Sequence, residues 1–208
     1  MFHHSGPRTR RLVAYLRRRA SGVPRSRAPR DASARPHLFC PRAVVFTDTA
    51  DFTTRTARDG ILHFLMLFER IVAKAEPVLR RHHGEIVKVE GDSLLIRFPD
   101  VAAACDGVAA LDALLHRTNR RLPEDEHLRF SYGIGWGEVL DIEGDLFGLE
   151  VNLASKLGED LAKPGEALLT PAAAASLDAR MLRRVVPYRI VTFAKLAVPV
   201  QRLKLPRG

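Results

Sequence analysis

Apolar residues recur with two different periods along this chain, and the changes of period predict its secondary structure. Residues 42–48 are mostly apolar and predict a buried first strand. Across residues 61–78 the apolar positions step by three and four, which predicts one long amphipathic helix. We expect Asp59 or Thr56 to cap the start of this helix, and Pro77 to kink it or bring it close to its end.

The middle of the chain predicts a hairpin, a second helix and two further strands. Gly84 is expected at the C′ position just after the first helix. Residues 85–98 predict two short strands around a Gly-Asp turn, and the Ala- and Leu-rich residues 101–121 predict a helix. Residues 128–136 alternate between apolar and polar, so they predict a strand, with residues 137–142 as its separate partner strand.

The last third of the chain continues the mixture of helices and strands. Residues 149–161 predict a helix, and residues 166–169 predict a short strand. Thr170 is followed by proline, which predicts an N-cap for an Ala-rich helix over residues 171–177. Residues 184–205 alternate loosely and predict two edge strands. The order β-α-β-β-α-β-β with additions predicts an α+β fold, a ferredoxin-like antiparallel sheet with helices mostly on one face.

The net charge of this 208-residue chain is +9, and it comes from the N-terminal segment. Residues 1–40 hold ten arginines and one acid, so the remaining residues are neutral overall. A segment this poor in apolar residues cannot offset the entropy of ordering, so we predict a mostly disordered tail before a folded domain over residues 41–208. Nucleic acid is not expected as a partner, because the folded part is neutral and lacks an aromatic-rich RNA-binding strand.

Membrane insertion and a disulfide framework are both disfavoured by the sequence. No apolar run approaches the ~18 residues that a membrane-spanning helix needs. Cys40 and Cys105 are too few for a disulfide-stabilised scaffold. We therefore expect a protein of the reducing cytoplasm.

Two aspartates fall where predicted strands end. Asp48 closes the first strand, and Asp92 lies in the turn of the predicted hairpin. A carboxylate at the end of a buried strand is costly unless something pairs with it. If the two turns are adjacent, the simplest explanation is a divalent metal site shared with substrate phosphates. The alternative is two unrelated turn aspartates, since aspartate is common in turns.

Four short segments resemble, in order, motifs of class III nucleotidyl cyclase catalytic domains. They are residues 46–53 (FTDTADFT), 88–92 (KVEGD), 145–157 (DLFGLEVNLASKL) and 164–166 (PGE). The resemblance covers about residues 42–205. It implies an adenylate or guanylate cyclase that forms a 3′,5′-cyclic nucleotide and pyrophosphate. It further implies a homodimer in which one subunit supplies the metal-binding residues and the other supplies catalytic helix residues.

The resemblance also implies roles for individual residues. Asp48 and Asp92 would bind two Mg²⁺ or Mn²⁺ ions, and Lys88 and Asp145 would recognise the base. The backbone of residues 50–53, including Phe52 and Thr53, would bind the phosphates. Asn152 would orient the ribose, and Lys156 would stabilise the negative charge of the phosphate in the transition state.

The types of the two base-reading residues favour ATP over GTP. Lysine only donates hydrogen bonds and ionised aspartate only accepts them. Lys88 can therefore donate to adenine N1 while Asp145 accepts from the 6-amino group, whereas guanine reverses both roles. Each mismatched buried polar group costs ~1–3 kcal/mol. The alternative interpretation of Lys88 is an ordinary solvated strand residue.

The chain departs from the family pattern at two positions. Arginine is usual at position 156, and Lys156 keeps the charge but loses the planar bidentate geometry. Lys156 lies four residues after Asn152, so both share a helix face. Asp51 replaces a frequent glycine. Lys195 is the candidate for the family's triphosphate-binding lysine. The change at Lys156 also favours a second hypothesis, a weak or inactive cyclase-like domain that binds nucleotide or dimerises.

Overall fold

A computed structural model describes residues 7, 9–10, 12–14, 17, 39–193 and 196–206 of the chain. Most of the tail that we predicted to be disordered, and Lys195, lie outside these described residues. Within the described ranges, no helix combines the length and the apolar character needed to cross a bilayer.

Eight strands of the described residues form one sheet. They are β1 Phe39–Thr49, β2 Glu85–Glu90, β3 Ser93–Phe98, β4 Phe130–Ile142, β5 Asp145–Phe147, β6 Ala167–Leu169, β7 Val185–Phe193 and β8 Leu196–Leu203. Their order is β2-β3-β1-β4-β6-β8-β7, and β5 pairs with the end of β4. All pairs are antiparallel except β4 with β6. The first four strands therefore have the ferredoxin-like order, and the parallel pair makes the complete sheet mixed.

Helices cover both faces of this sheet. They are α1 Phe52–Asp59, α2 Ile61–Arg81, α3 Val101–Asn119, α4 Leu149–Lys156, α5 Pro171–Ala175 and α6 Ala179–Leu182, with a π-helical turn Leu157–Leu161 after α4. Successive residues of β1 face opposite sides, so Ala43 and Val45 pack in the core with α2 and α3. Val44 packs with Val151 and Ala154 of α4 on the other face.

The prediction of two strands over residues 128–142 is wrong, because β4 is a single strand. All eleven residues of β1 pair with it, from Phe39 opposite Leu140 to Thr49 opposite Phe130. The glycines of β4 face α4 instead of forming a turn. A Cβ at Gly133 would overlap the backbone of α4, and one at Gly135 would lie 2.5 Å from a carbonyl oxygen of that helix. Small residues at alternate positions therefore let α4 lie directly on the strand.

The long helix predicted over residues 61–78 is confirmed as α2, and it is preceded by a short helix, α1, that we did not predict. Gly60 separates them with φ 84, a left-handed conformation that favours glycine, and it is the N-cap of α2 without a side-chain hydrogen bond. Neither Asp59 nor Thr56 therefore caps this helix, contrary to our prediction. Helix α2 also continues past Pro77 to Arg81, so the proline does not end it.

Gly84, which follows the end of α2, has a different role from the one that we predicted. The left-handed residue there is His83, with φ 60. Gly84 donates its N–H to the carbonyl oxygen of Leu79 at 2.9 Å. A Cβ at Gly84 would lie 2.6 Å from Cζ of the Phe98 ring. Glycine is thus required at position 84 by packing against the sheet.

Other local predictions are confirmed. Strands β2 and β3 form a hairpin closed by the Glu90–Ser93 pair, with Gly91 at φ 61 in its turn. Thr170 caps α5 by accepting a hydrogen bond from Ala173 N at 3.2 Å. The two C-terminal strands are present, but β8 lies between β6 and β7, so of these two strands only β7 is at an edge of the sheet.

Described residues of the N-terminal segment contact the far end of β4. The N–H and Oγ1 of Thr9 donate to Glu143 Oε2 at 3.0 and 2.6 Å. Leu12 is buried and packs on Ile142. Strand β1 begins at Phe39, two residues before the predicted start of the folded domain.

Candidate functional site

The end of β1 is joined to the β2–β3 turn by two threonines. Thr47 Oγ1 accepts a hydrogen bond from Leu94 N at 2.9 Å. Thr49 Oγ1 donates to the carbonyl oxygen of Asp92 at 2.7 Å. Asp48 lies between these threonines, so the structure brings Asp48 and Asp92 to the same end of the sheet.

The charges at this end of the sheet are unbalanced. Burial raises the pKa of Asp48 to about 6, and the neighbouring charges of Asp92, Glu159 and Asp160 contribute to the increase. Burial also raises the pKa of Asp92. In the described part of the chain, no lysine, arginine or histidine forms a salt bridge with Asp48 or Asp92. Two partly buried carboxylates without a counterion make a suitable site for a cation.

Asp51 adopts a left-handed conformation directly after this strand. Its φ is 63, a region that glycine occupies freely and that aspartate tolerates better than most residues. Position 51 therefore has a backbone conformation that suits the glycine frequent there in the family, and aspartate is one of the few other residues that tolerate it. Asp51 Oδ2 lies 3.8 Å from Arg129 Nη2, and Asp51 is not among the charges that raise the pKa of Asp48.

The predicted phosphate-binding backbone is the N-terminus of α1. The first amides of any helix lack partners within the helix, so they can bind an anion. Phe52 anchors this turn, because its ring packs edge-on against Phe64 with centroids 4.7 Å apart. Thr53 is exposed beside it.

The two predicted base-reading residues lie next to each other. Lys88 Nζ is 3.6 Å from Asp145 Oδ2 and 3.0 Å from Glu90 Oε2. Hydrogen bonding to Glu90 is the largest contribution that raises the pKa of Lys88, followed among the raising effects by the charge of Asp145. Sequence reasoning missed Glu90, although its position two residues after Lys88 on β2 places it on the same face.

The two predicted catalytic residues project from the exposed side of α4. Asn152 and Lys156 are both exposed, whereas Val151 and Ala154 are buried against the sheet. The Lys156 ammonium forms a salt bridge with Asp160 one turn later. Residues four apart on a helix share a face, so Asn152 and Lys156 can act on one substrate.

Glu159 and Asp160 are acids that sequence reasoning overlooked. They lie on the π-helical turn after α4, which packs against the end of β1. Ser131 Oγ donates to Gly158 O at 2.9 Å, and a Cβ at Gly158 would lie 2.8 Å from the carbonyl oxygen of Phe46. Helical periodicity could have placed both acids near the face of Asn152, but only the tertiary packing places them near β1.

Within one chain, the predicted residues form two groups that are linked indirectly. Lys156 forms a salt bridge with Asp160, and the charge of Asp160 contributes to the raised pKa of Asp48. Among the residues that the structure describes, no hydrogen bond or salt bridge joins Asp48 or Asp92 to Lys88, Asp145 or Asn152. These residues also contain no group of three or more histidine, cysteine, aspartate or glutamate side chains that could hold a metal ion.

Comparison with known sequences finds adenylate cyclases, although no protein-family model matches the chain. An adenylate cyclase of Glutamicibacter nicotianae is 32% identical over 168 residues, which is 80% of this chain and 40% of that protein. An adenylate cyclase of Streptomyces coelicolor is 30% identical over 116 residues, which is 55% of this chain and 29% of that protein. The chain therefore spans less than half the length of these relatives.

Solved structures of both cyclase types share the fold. The adenylyl cyclase CyaB from P. aeruginosa matches with a TM-score of 0.65 and 20% identity, over 81% of this chain and 96% of that one. The guanylate cyclase domain of RhGC from Catenaria anguillulae, solved with GTP, has a TM-score of 0.69 and 16% identity, over 80% and 97% of the two chains. The chain has the fold of class III nucleotidyl cyclase catalytic domains.

Within this cyclase fold, the α+β prediction is confirmed. The resemblance that rested on the order of four short motifs is confirmed as well, by the adenylate cyclases among the curated relatives and by both types of cyclase among the structural neighbours. The metal-binding, base-reading and catalytic roles remain predictions for this chain.

Proposed function

We propose that the protein is an adenylate cyclase that converts ATP to 3′,5′-cyclic AMP and pyrophosphate in a homodimer. The main support is the meeting of Asp48 and Asp92 at the end of β1, where no basic side chain of the described residues forms a salt bridge with either carboxylate. A cytoplasmic location would supply ATP, and Cys40 and Cys105 are both free thiols, which agrees with a reducing compartment.

The two carboxylates fit a site for two Mg²⁺ or Mn²⁺ ions. Mg²⁺ is usually held by one or two carboxylates together with substrate phosphates, so a third acidic ligand is not required. Asp48 and Asp92 would hold the ions. When bound, the ions would lower the pKa of the ribose 3′-hydroxyl and neutralise phosphate charge.

The protein residues would orient the nucleotide for an intramolecular displacement. The ribose 3′-oxygen attacks the α-phosphorus, the bond from that phosphorus to the bridging oxygen breaks, and pyrophosphate leaves. Asn152 would orient the ribose, and Lys156 would stabilise negative charge on the phosphate. The first amides of α1, at Phe52 and Thr53, would bind phosphate oxygens. We assign no side chain as the base.

A homodimer would bring the two groups of residues together. Three exposed apolar side chains lie beside the base-reading residues and the start of α4: Val89, Phe147 and Leu149, with exposed fractions of 49%, 41% and 62%. A second copy could cover them while placing its own Asp48 and Asp92 opposite Asn152 and Lys156. Two-fold symmetry would then create two equivalent sites.

The preference for ATP is supported by the chemistry of Lys88 and Asp145. Asp145 Oδ1 accepts a hydrogen bond from Leu146 N at 2.9 Å, which holds the carboxylate in place beside Lys88. A fixed donor and a fixed acceptor match N1 and the 6-amino group of adenine. Guanine would face each of them with the wrong partner.

We expect Asp145→Asn to reduce the preference for ATP. An amide both donates and accepts hydrogen bonds, so guanine O6 gains a partner and adenine partly loses one. The ratio of kcat/KM for ATP to that for GTP should fall roughly 10-fold, since one mismatched group is worth about 1–3 kcal/mol. Steady-state kinetics with both nucleotides would measure this.

Glu90→Gln is the matched control for Asp145→Asn. Glu90 is the other carboxylate in contact with Lys88, but we assign it no contact with the base. Its substitution should leave the ATP-to-GTP ratio unchanged. Equal changes of this ratio in both variants would contradict base reading by Asp145.

The second hypothesis is a catalytically weak or inactive cyclase-like module, which Lys156 favours. We expect Lys156→Arg to increase kcat by several-fold to about 10-fold, because the guanidinium adds bidentate hydrogen bonds to the phosphate. KM for ATP should change less than kcat, since this contact strengthens in the transition state. A decrease in kcat would show that the site is adapted to lysine.

Incubation of purified protein with Mn²⁺ and ATP tests the proposed function directly. We expect cyclic AMP and pyrophosphate in equal amounts, identified by chromatography and mass spectrometry. Absence of cyclic AMP above the level of an Asp48→Asn variant would favour the inactive module.

A further inference from the structure

Two pairs of basic side chains line one cavity between α2 and α3. The cavity has a volume of about 400 Å³. Its charged lining residues are Arg70 and Lys74 of α2, Arg117 of α3, and Arg121 just after the end of α3. Arg70 and Lys74 are four residues apart on their helix and therefore share a face. Among the described residues, no aspartate or glutamate lines this cavity, which we call the α2–α3 cavity.

These four cations have no carboxylate partner. None of them forms a salt bridge in the described part of the chain. Glu126 lines a much smaller cavity together with Arg70 and Lys74, but it is paired with neither. The negative end of the α3 dipole favours Arg117 and Arg121, whereas Arg70 and Lys74 lie in the middle of α2, where the dipole offers no such compensation. Like charges around one cavity repel each other, so the arrangement is costly unless an anion is bound.

We propose that the α2–α3 cavity binds a small soluble anion that carries several phosphate groups. Three of the four cations are arginines, whose planar forks can each bind two phosphate oxygens. A terminal phosphate carries roughly two negative charges, so two or three phosphates balance four cations in a small volume. An acidic peptide would need about four carboxylates, each from a separate residue. The cavity volume falls within the range of about 300–1,000 Å³ that is typical of small-molecule sites.

This cavity lies on the opposite face of the sheet from the proposed catalytic helix. Val45 of β1 packs in the core with α2 and α3, whereas Val44 packs against α4, which carries Asn152 and Lys156. An anion in the α2–α3 cavity would therefore not compete with ATP. It would influence the substrate site only through α2, which follows α1 and the end of β1 in the chain. The cavity is thus an effector site, and its occupation does not depend on cyclase activity.

Thermal unfolding with inorganic tripolyphosphate, without metal or ATP, tests this site. A ligand raises Tm only if it binds the folded state more tightly than the unfolded chain, so equal binding to an arginine-rich segment in both states has no effect. At about 100 times Kd, the wild-type Tm should rise by roughly 5–10 °C. Arg70→Gln and Arg117→Gln should each weaken binding roughly 10-fold, which removes about half of this rise, and the double variant should remove nearly all of it.

Arg120→Gln is the matched control, because it removes the same charge next to α3 from a residue that does not line the cavity. Its rise in Tm should equal that of the wild type, and so should that of Lys156→Gln. Without ligand, Arg70→Gln should unfold at the wild-type temperature or above it, since it removes a repelling charge. A reduced rise would then report lost binding and not a folding defect.

Three outcomes would overturn the inference. The first is no rise in the wild type, or an equal loss in Arg120→Gln. The second is a rise lost in Lys156→Gln but kept in Arg70→Gln, which would place the anion in the substrate site. The third is retention on phosphoinositide vesicles that depends on Arg70, in place of a rise with tripolyphosphate, which would assign the cavity to a lipid headgroup.

Discussion

An Asp48→Asn variant should lose cyclase activity while its metal-free form becomes more stable. The amide is a poor ligand for Mg²⁺ or Mn²⁺ and cannot balance their charge, so we expect kcat to fall roughly 10²–10³-fold or more. In the metal-free protein the ionised carboxylate is only a cost, because it is partly buried beside Asp92, Glu159 and Asp160.

The sign of the stability change follows from the pKa of Asp48. In the folded chain the pKa of this carboxyl is raised to about 6 from its ordinary value of 3.8. The folded state therefore binds the proton more tightly, and stability falls as pH rises between these two values. Because the group is partly exposed, we expect a gain of about 1 kcal/mol for Asp48→Asn at pH 7.

Urea unfolding in the presence of a chelator, at pH 7 and at pH 4, measures this effect. The stability gain of Asp48→Asn should be present at pH 7 and largely absent at pH 4, where Asp48 is mostly protonated. Asp51→Asn is the matched control, because it alters an acid that does not act on Asp48 and should show no such pH dependence. A variant that is inactive and also less stable at pH 7 would indicate a structural role for Asp48.

Mixing two inactive variants should restore activity if the site forms between subunits. Asp48→Asn damages the metal-binding half of each site, and Asn152→Ala damages the catalytic half. In a mixed dimer one site receives both damaged halves and the other receives two intact halves. With random pairing, about a quarter of wild-type activity should return. Coexpression followed by a cyclic AMP assay measures this recovery.

A mixture of Asp48→Asn with Asp92→Asn is the control for this experiment. Both substitutions affect the same half of the site, so every mixed site contains one of them and activity should stay lost. Equal recovery in both mixtures would exclude the assignment of residues to two subunits. No recovery in either, in protein shown to be dimeric, would indicate a site built within one chain.

Local sequence patterns predicted the positions of the candidate residues well. Asp48 was placed by the apolar strand before it, and Asp92 by the Gly-Asp turn of the hairpin, both of which the structure contains. The four-residue spacing of Asn152 and Lys156 placed them on one exposed helix face. Such features depend on alternation, helical period and turn chemistry, which involve neighbouring residues only.

Predictions that depended on glycine were less successful, because glycine has several structural uses. We expected a strand boundary near Gly137, yet β4 continues because its glycines face α4. Gly84 was expected to serve the helix end, but it makes room for Phe98. Whether a glycine marks a turn or a close contact is decided by a distant partner that the local sequence does not identify.

Short-range patterns and motifs were enough to predict the α+β class, the strand-end carboxylates and the cyclase resemblance. The closeness of Glu159 and Asp160 to Asp48, and the cavity shared by Arg70 and Arg117, are visible only in the folded chain. These relationships join residues far apart in the chain. They arise from strand pairing and from the packing of helices on the sheet, which bring together charges that no local period connects.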